Sequence, residues 1–211
     1  MRKTLPTLLA AGLAAAAFTT STQALAYGAG DFFTRLGVAK VAPKSDNGSL
    51  VDGAVDVDVQ DDTGFAFTLG YRFHDKIGME LLAAEQFEHD IELSVGGAVA
   101  DVASTKHLPP TLTVQYYPLG GTDALVQPYV GVGVNYTVFS SEKSGLGDLS
   151  LDDSWGVAGQ VGVDLLINDN WALNAAAWYL DIDTDASLNG NEIGSVQIDP
   201  LVVMGGVSYR F

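Results

Sequence analysis

Side chains of alternating character run through most of this chain. Phe65, Phe67, Leu69, Tyr71 and Phe73 take one parity, while Ala66, Thr68, Gly70 and Arg72 take the other. Leu112, Val114 and Tyr116 alternate with Thr111, Thr113, Gln115 and Tyr117. Val130, Val132, Val134, Tyr136 and Val138 alternate with Tyr129, Gly131, Gly133, Asn135 and Thr137. Trp155, Val157, Val161, Val163, Leu165 and Ile167 oppose Gly156, Ala158, Gln160, Gly162 and Asp164; Leu201, Val203, Val207, Tyr209 and Phe211 oppose Val202, Met204, Gly206, Ser208 and Arg210. Successive side chains of a strand point to opposite faces, so a period of two predicts two-faced strands. Residues 31–41, 77–87 and 171–180 carry the pattern less cleanly and bring the expected number of strands to eight.

The small face narrows the choice of architecture. A soluble antiparallel sheet buries its large apolar face and exposes a charged one. Here the weaker face is mostly Gly, Ala, Thr, Ser, Asn and Gln. Small neutral side chains suit the cramped interior of a closed barrel, and large apolar ones suit lipid. With spans at 31–41, 63–73, 77–87, 111–118, 127–139, 154–167, 171–180 and 201–211, only Asp31, Glu80, Glu85 and Asp164 among the 26 acids fall inside strands. The connections alternate long and short, with tight turns at His74-Asp75-Lys76 and Asn168-Asp169-Asn170. Outer-membrane barrels have an even strand number, short periplasmic turns and long external loops, which places both termini at the periplasm. Tyr71, Phe73, Tyr116, Trp171, Tyr209 and Phe211 then fall at periplasmic strand ends and Phe87, Phe139 and Trp155 at outer ends, as two aromatic girdles. The expected fold is an all-β, eight-stranded antiparallel transmembrane β-barrel preceded by a cleavable signal peptide.

The leader is read from Arg2 and Lys3, the Ala/Leu run Leu8–Phe18 and the polar stretch ending in Ala24-Leu25-Ala26. This is the charged, apolar and small-residue order of a secretory signal, with Ala24 and Ala26 at the positions a signal peptidase reads. The run is too short and too rich in Ala for a bilayer span, which needs about 20 strongly apolar residues. The expected domains are therefore a signal peptide at 1–26 and a barrel at 27–211. A net charge of −16 excludes nucleic acid as a partner, since phosphates must be met by cations. The absence of Cys removes thiol catalysis, thiolate metal sites and disulfides.

Several stretches are similar to one known group. His107-Leu108-Pro109-Pro110-Thr111-Leu112, the run Gln127 to Thr137, Asp148 to Gly156 with Gly159 to Asp164, Trp178 to Thr184, and Ile198 to Phe211 together resemble the outer membrane protein W family. The resemblance covers essentially all of the chain after the leader. It departs in the first external connection, where Asp52, Asp56, Asp58, Asp61 and Asp62 make an acidic variant. It implies an outer-membrane barrel admitting small hydrophobic molecules; some relatives import alkanes or aromatics and one is a bacteriocin receptor. It also implies that Leu82 and Trp178 constrict the bottom of a hydrophobic cavity. The implied partners are the lipid bilayer and lipopolysaccharide, small hydrophobic solutes, the barrel-assembly machinery through the C-terminal Phe211, and a bacteriocin or phage.

An eight-stranded barrel is just wide enough to be filled by its own side chains, so a general aqueous pore is not expected. Parity puts Arg35, Arg72, Glu80, Asp164 and Arg210 inside, and buried charges must be paired, which suggests an interior ion-pair plug. Pro109 and Pro110 lack the N–H needed to continue a ladder and mark a candidate lateral gap between strands. Solute would enter from outside, meet the plug and leave sideways into the bilayer. The rivals are a receptor or purely structural barrel, a Ca²⁺ site on the acidic connection, and an enzyme built on His107 and Ser104. Neither motif completes a ligand set or places a nucleophile with its base, so no enzyme, metal or cofactor is expected.

Overall fold

The computed structural model describes residues 28–211, so the expected signal segment 1–26, with Ala24 and Ala26, lies outside the described residues. Among the described residues fifteen strands form: β1 (Phe32–Ala42), β2 (Ser49–Leu50), β3 (Val55–Val59), β4 (Asp62–His74), β5 (Ile77–Ala84), β6 (Phe87–Val95), β7 (Ala98–Leu108), β8 (Thr111–Tyr116), β9 (Val126–Lys143), β10 (Leu149–Leu151), β11 (Ser154–Leu166), β12 (Trp171–Leu180), β13 (Asp183–Leu188), β14 (Asn191–Gln197) and β15 (Leu201–Arg210). Eight of them close a ring in the order β1, β4, β5, β8, β9, β11, β12, β15, with β15 pairing back onto β1 and β9 onto β11. Every ladder in the ring is antiparallel. Closure leaves no sheet edge, which is what a strand-built membrane protein requires.

The alternating pattern becomes the two faces of this ring. Val132, Val157 and Trp155 stand out from the wall at 72, 66 and 73% exposure, and Phe65, Leu69, Val114, Leu201 and Val203 share that outer surface. Thr68, Arg72, Thr113, Gln115, Asn135 and Asp164 are buried inside. Aromatic pairs gird the tight-turn end, where Phe32 and Tyr71 lie 4.5 Å apart, Trp171 and Tyr209 4.8 Å, and Tyr209 and Phe211 5.1 Å. Tyr136 and Trp155, 4.5 Å apart, mark the opposite border.

The expected outer girdle needs correction. Phe87 and Phe139 are buried, at 2 and 7% exposure, and flank the ring of His107 at 5.9 and 6.1 Å. Phe139 follows the outward Val138 and so takes inward parity. Phe87 opens a new strand after a break at residues 85–86 that ends β5 at Ala84.

The long connections are also not loops. Residues 42–62, 88–110, 140–153 and 181–200 contain β2, β3, β10, β13, β14 and most of β6 and β7, which carry the barrel wall outward as a second tier. β3 pairs with β6, β6 with β7 and β7 with the far half of β9, while β10, β13 and β14 form a separate small sheet. The seam between the two parts is tied by Gln197 N–H to Asn47 O at 3.1 Å and Val51 N–H to Ile193 O at 2.8 Å. Buried Asn47 adds side-chain bonds to Gln197 O and from Val59 N–H, at 2.8 and 2.9 Å. The same alternation explains the tier: Val57, Val59, Ile91 and Leu93 turn inward, and the acids Asp56, Asp58, Asp90 and Glu92 turn out. Acids therefore do occupy strands, on the outer face of the second tier.

Glycine inside the ring makes room for rings carried by other strands. A Cβ on Gly70 would stand 2.0 Å from Phe33 Cζ, and one on Gly162 2.3 Å from Tyr129 Cζ. Gly70→Ala is expected to destabilise the barrel by about 1–3 kcal/mol through overpacking. A lowered urea midpoint in detergent checks this.

Candidate functional site

Near the tight-turn end a buried charged network spans the lumen. Arg35, on β1, forks onto Asp164 of β11, with Nε to Oδ1 at 3.2 Å and Nη2 to Oδ2 at 2.6 Å. Its Nη1 donates to Glu80 Oε2 of β5. All three side chains are fully buried. Glu80 Oε1 accepts from Gln115 Nε2 at 2.9 Å and Gln160 Nε2 at 2.7 Å, and its Oε2 accepts from Thr68 Oγ1 at 2.9 Å. Asn174 Nδ2 donates to Asp164 Oδ1 at 2.8 Å. The guanidinium lies 4.4 Å from both the Phe33 and Tyr129 ring centroids. Desolvated charges persist only when paired and hydrogen-bonded, and Arg alone offers a planar fork for this geometry.

The other predicted charges sit lower. Arg72 stacks 3.8 Å over the Tyr117 ring and donates from Nη2 to the Asp75 carbonyl. Tyr117 accepts from Arg35 Nη2 at 3.2 Å, so Arg72 joins the network through that phenol. Arg210 meets Asp31 at the rim, Nη1 to Oδ2 at 3.3 Å, a place set by its position at the last residue of β15. The structure thus brings Arg35, Glu80 and Asp164 into direct contact and leaves Arg72 and Arg210 beneath them. Sequence reasoning missed the polar residues that complete the floor, Thr68, Gln115, Gln160 and Asn174, although each carried inward parity. Phe211 is exposed, and its N–H donates to Phe32 O at 3.0 Å.

Above the floor the interior turns apolar along β5, β12 and β15, while Thr111, Asn135 and Thr137 keep it polar along β8 and β9. Leu82 is the next inward residue after Glu80 on β5, and Trp178 is two inward positions beyond Asn174 on β12; both are buried. Val202, Met204, Leu180 and Ile182 continue the apolar lining. In the second tier, Leu50, Val57, Ile91, Leu93, Ala103 and Val196 face a narrow apolar cleft of about 70 Å³.

One ladder of the wall is interrupted beside Leu82. The β5–β8 pairing ends at Leu82↔Thr111, and the β6–β7 pairing begins at Phe87↔His107. Residues 83–86 thus face residues 108–110, one fewer, and the registers on either side do not match. Glu85 N–H turns to Phe65 O on the far side, and Pro109 O accepts from Thr111 Oγ1 at 3.0 Å.

The supposed dyad is not assembled: His107 faces inward and Ser104 has the opposite parity on β7. His107 stacks on His89 instead, and burial first, then the neighbouring His89, hold its imidazole down to about 3. Among the described residues, no group of three or more His, Asp or Glu is gathered to hold a metal. Asp61, from the acidic connection, pairs with Lys40 at 2.6 Å.

A closed eight-stranded ring with an apolar exterior between aromatic borders and a buried polar network inside defines a small outer-membrane β-barrel. The OmpW family profile matches residues 28–211, and the chain belongs to this family. Outer membrane protein W of Vibrio cholerae is 42% identical over 212 residues, covering 95% of this chain and 97% of that protein. The protein of the same name from Salmonella typhi is 45% identical over 211 residues, covering 94 and 98%. The crystal structure of OprG from Pseudomonas aeruginosa superposes with a TM-score of 0.81 at 40% identity, covering 88% of this chain and 98% of that one. The protein is therefore an outer-membrane barrel in contact with the bilayer, and its family is one of barrels rather than enzymes.

Proposed function

We propose that the barrel gives passive passage to small hydrophobic molecules, which enter through the second tier and leave sideways into the bilayer beside Pro109 and Pro110. The observation that carries this reading is an apolar stretch of the interior around Leu82 and Trp178 that ends on a charged floor, with a break in the wall just above that floor. Arg35, Glu80 and Asp164 are the plug that stops a straight path to the periplasm. Leu82 and Trp178 are the constriction above it, and the interrupted ladder beside Leu82 is the exit. Nothing energised is needed, since each CH₂ moved from water to lipid gains about 0.8 kcal/mol. The outer lipopolysaccharide leaflet is the barrier that such a route bypasses.

The test is entry of an apolar dye into proteoliposomes carrying the barrel, against protein-free vesicles. Trp178→Arg sets an unpaired charge on the apolar constriction and is expected to slow entry severalfold, with folding checked by the heat-induced shift in gel mobility. An unchanged rate in the folded variant removes the constriction from the route.

A further inference from the structure

The inner face of the β6–β7 hairpin carries a polar patch that the passage of bare hydrocarbon does not call for. His89 and His107 stack with ring centroids 4.8 Å apart and 20° between planes. Thr105 lies opposite His89 in the ladder and shares their face. His89 Nδ1 is 2.5 Å from the Gln60 carbonyl oxygen, which can only accept. Nδ1 therefore carries the proton, and the neutral ring presents Nε2 as a bare acceptor. Nε2 of His89, Nε2 of His107 and Oγ1 of Thr105 are buried and meet no hydrogen-bond partner among the described residues. Buried polar atoms are almost always paired, so three orphans on one inner face ask for a ligand.

Their position says what that ligand is. Two residues further out on the same face, Ile91 and Ala103 begin the apolar cleft. On the other side, the rung Phe87↔His107 is the upper lip of the interrupted ladder. Apolar space thus lies above a small cluster of neutral hydrogen-bonding atoms, with the opening to lipid directly below. We propose that this patch binds the neutral hydroxyl head of an amphiphilic solute whose alkyl chain lies in the cleft, so that the preferred solutes are hydroxylated hydrocarbons rather than bare alkanes. The solute O–H donates to His89 Nε2, and its oxygen accepts from Thr105 Oγ1 or from His107 Nε2–H. An ionised head is disfavoured, because it would be stripped of water between Phe87 and Phe139 beside imidazoles that are neutral. Binding at the lip presents the chain to the opening, which deepens the passage reading and rests on it.

Two measurements test this. In vesicles with a lipopolysaccharide outer leaflet, entry of 1-octanol and of n-octane is measured, each relative to protein-free vesicles. The wild-type barrel is expected to favour 1-octanol by roughly tenfold, as two added hydrogen bonds allow. The variant His89→Phe, which leaves the lip rung Phe87↔His107 in place, should lose most of that preference while n-octane enters as before. Equal preference in both proteins overturns the head-group site but leaves passage standing, since the n-octane rate tests passage alone. The second measurement needs no variant: imidazole nitrogen NMR of the wild-type barrel in lipid nanodiscs. Addition of 1-octanol should shift the Nε2 resonances of His89 and His107, leave the turn residue His74 unmoved, and find no counterpart with n-octane. Such a shift supports the site even if no probe is transported, and its absence overturns it.

Discussion

Arg35→Met is expected to unfold the barrel at a far lower urea concentration than the wild-type chain, a loss of about 3–5 kcal/mol. The guanidinium meets Glu80 and Asp164 together, and none of the three side chains reaches solvent. Removing it strands two carboxylates in the lumen, where the remaining amide and hydroxyl donors cannot neutralise them. Most of the loss is the cost of the abandoned charges rather than the worth of the pair. That distinction is testable, because adding Glu80→Gln and Asp164→Asn to Arg35→Met removes every charge of the trio and should recover most of the midpoint. Gln at position 80 still presents one oxygen to Gln115 and Gln160, and Asn at position 164 still accepts from Asn174. If Arg35→Met matched the wild type in urea, the trio would not be the structural floor described above. If the triple variant were as weak as the single one, the forked geometry itself, rather than charge balance, would hold β1, β5 and β11 together.

The barrel was legible in the sequence because a ring wall is a one-dimensional pattern. Parity alone assigns Val132 to lipid and Gln115 to the lumen, and the turn lengths order the strands. The pattern also ran on into the connections, in Val57 and Val59 against Asp56 and Asp58, but charge there disguised it as loop. In an extension above the bilayer the outer face meets water, so its strands alternate apolar with acidic, as those of a soluble sheet do. Which inward charges meet was less legible. Arg35, Arg72 and Arg210 all face inward, yet Arg35 is the one that forks onto Asp164 and meets Glu80, while Arg210 meets Asp31 at the rim, since contact across a lumen depends on stagger between strands. His89 and His107 were hidden for a different reason: they pair across a hairpin that the acidic residues around it disguised as loop.

Pro109→Ala is expected to slow entry of apolar solute severalfold, whereas Pro110→Ala should leave it unchanged. Within an antiparallel strand, the N–H and C=O of one residue point to the same neighbour, and successive residues alternate between neighbours. Pro110 O accepts from Tyr136 N–H at 3.1 Å, so the donor missing at Pro110 faces β9. The donor missing at Pro109 then faces β5, where the wall is interrupted. Continuing the β5–β8 register past Leu82↔Thr111 sets residue 109 opposite Ala84. An N–H restored there allows one more rung, which shortens the opening from its lower end while the mismatch with Phe87↔His107 is taken up nearer the lip. Both substitutions relieve the same backbone restriction, so a general change in stability would move the two variants alike. A difference between them isolates the hydrogen bond toward β5, and with it the sideways exit. Equal rates for Pro109→Ala and the wild type would close that exit as a route and return the path to the floor, where Arg35, Glu80 and Asp164 would have to part.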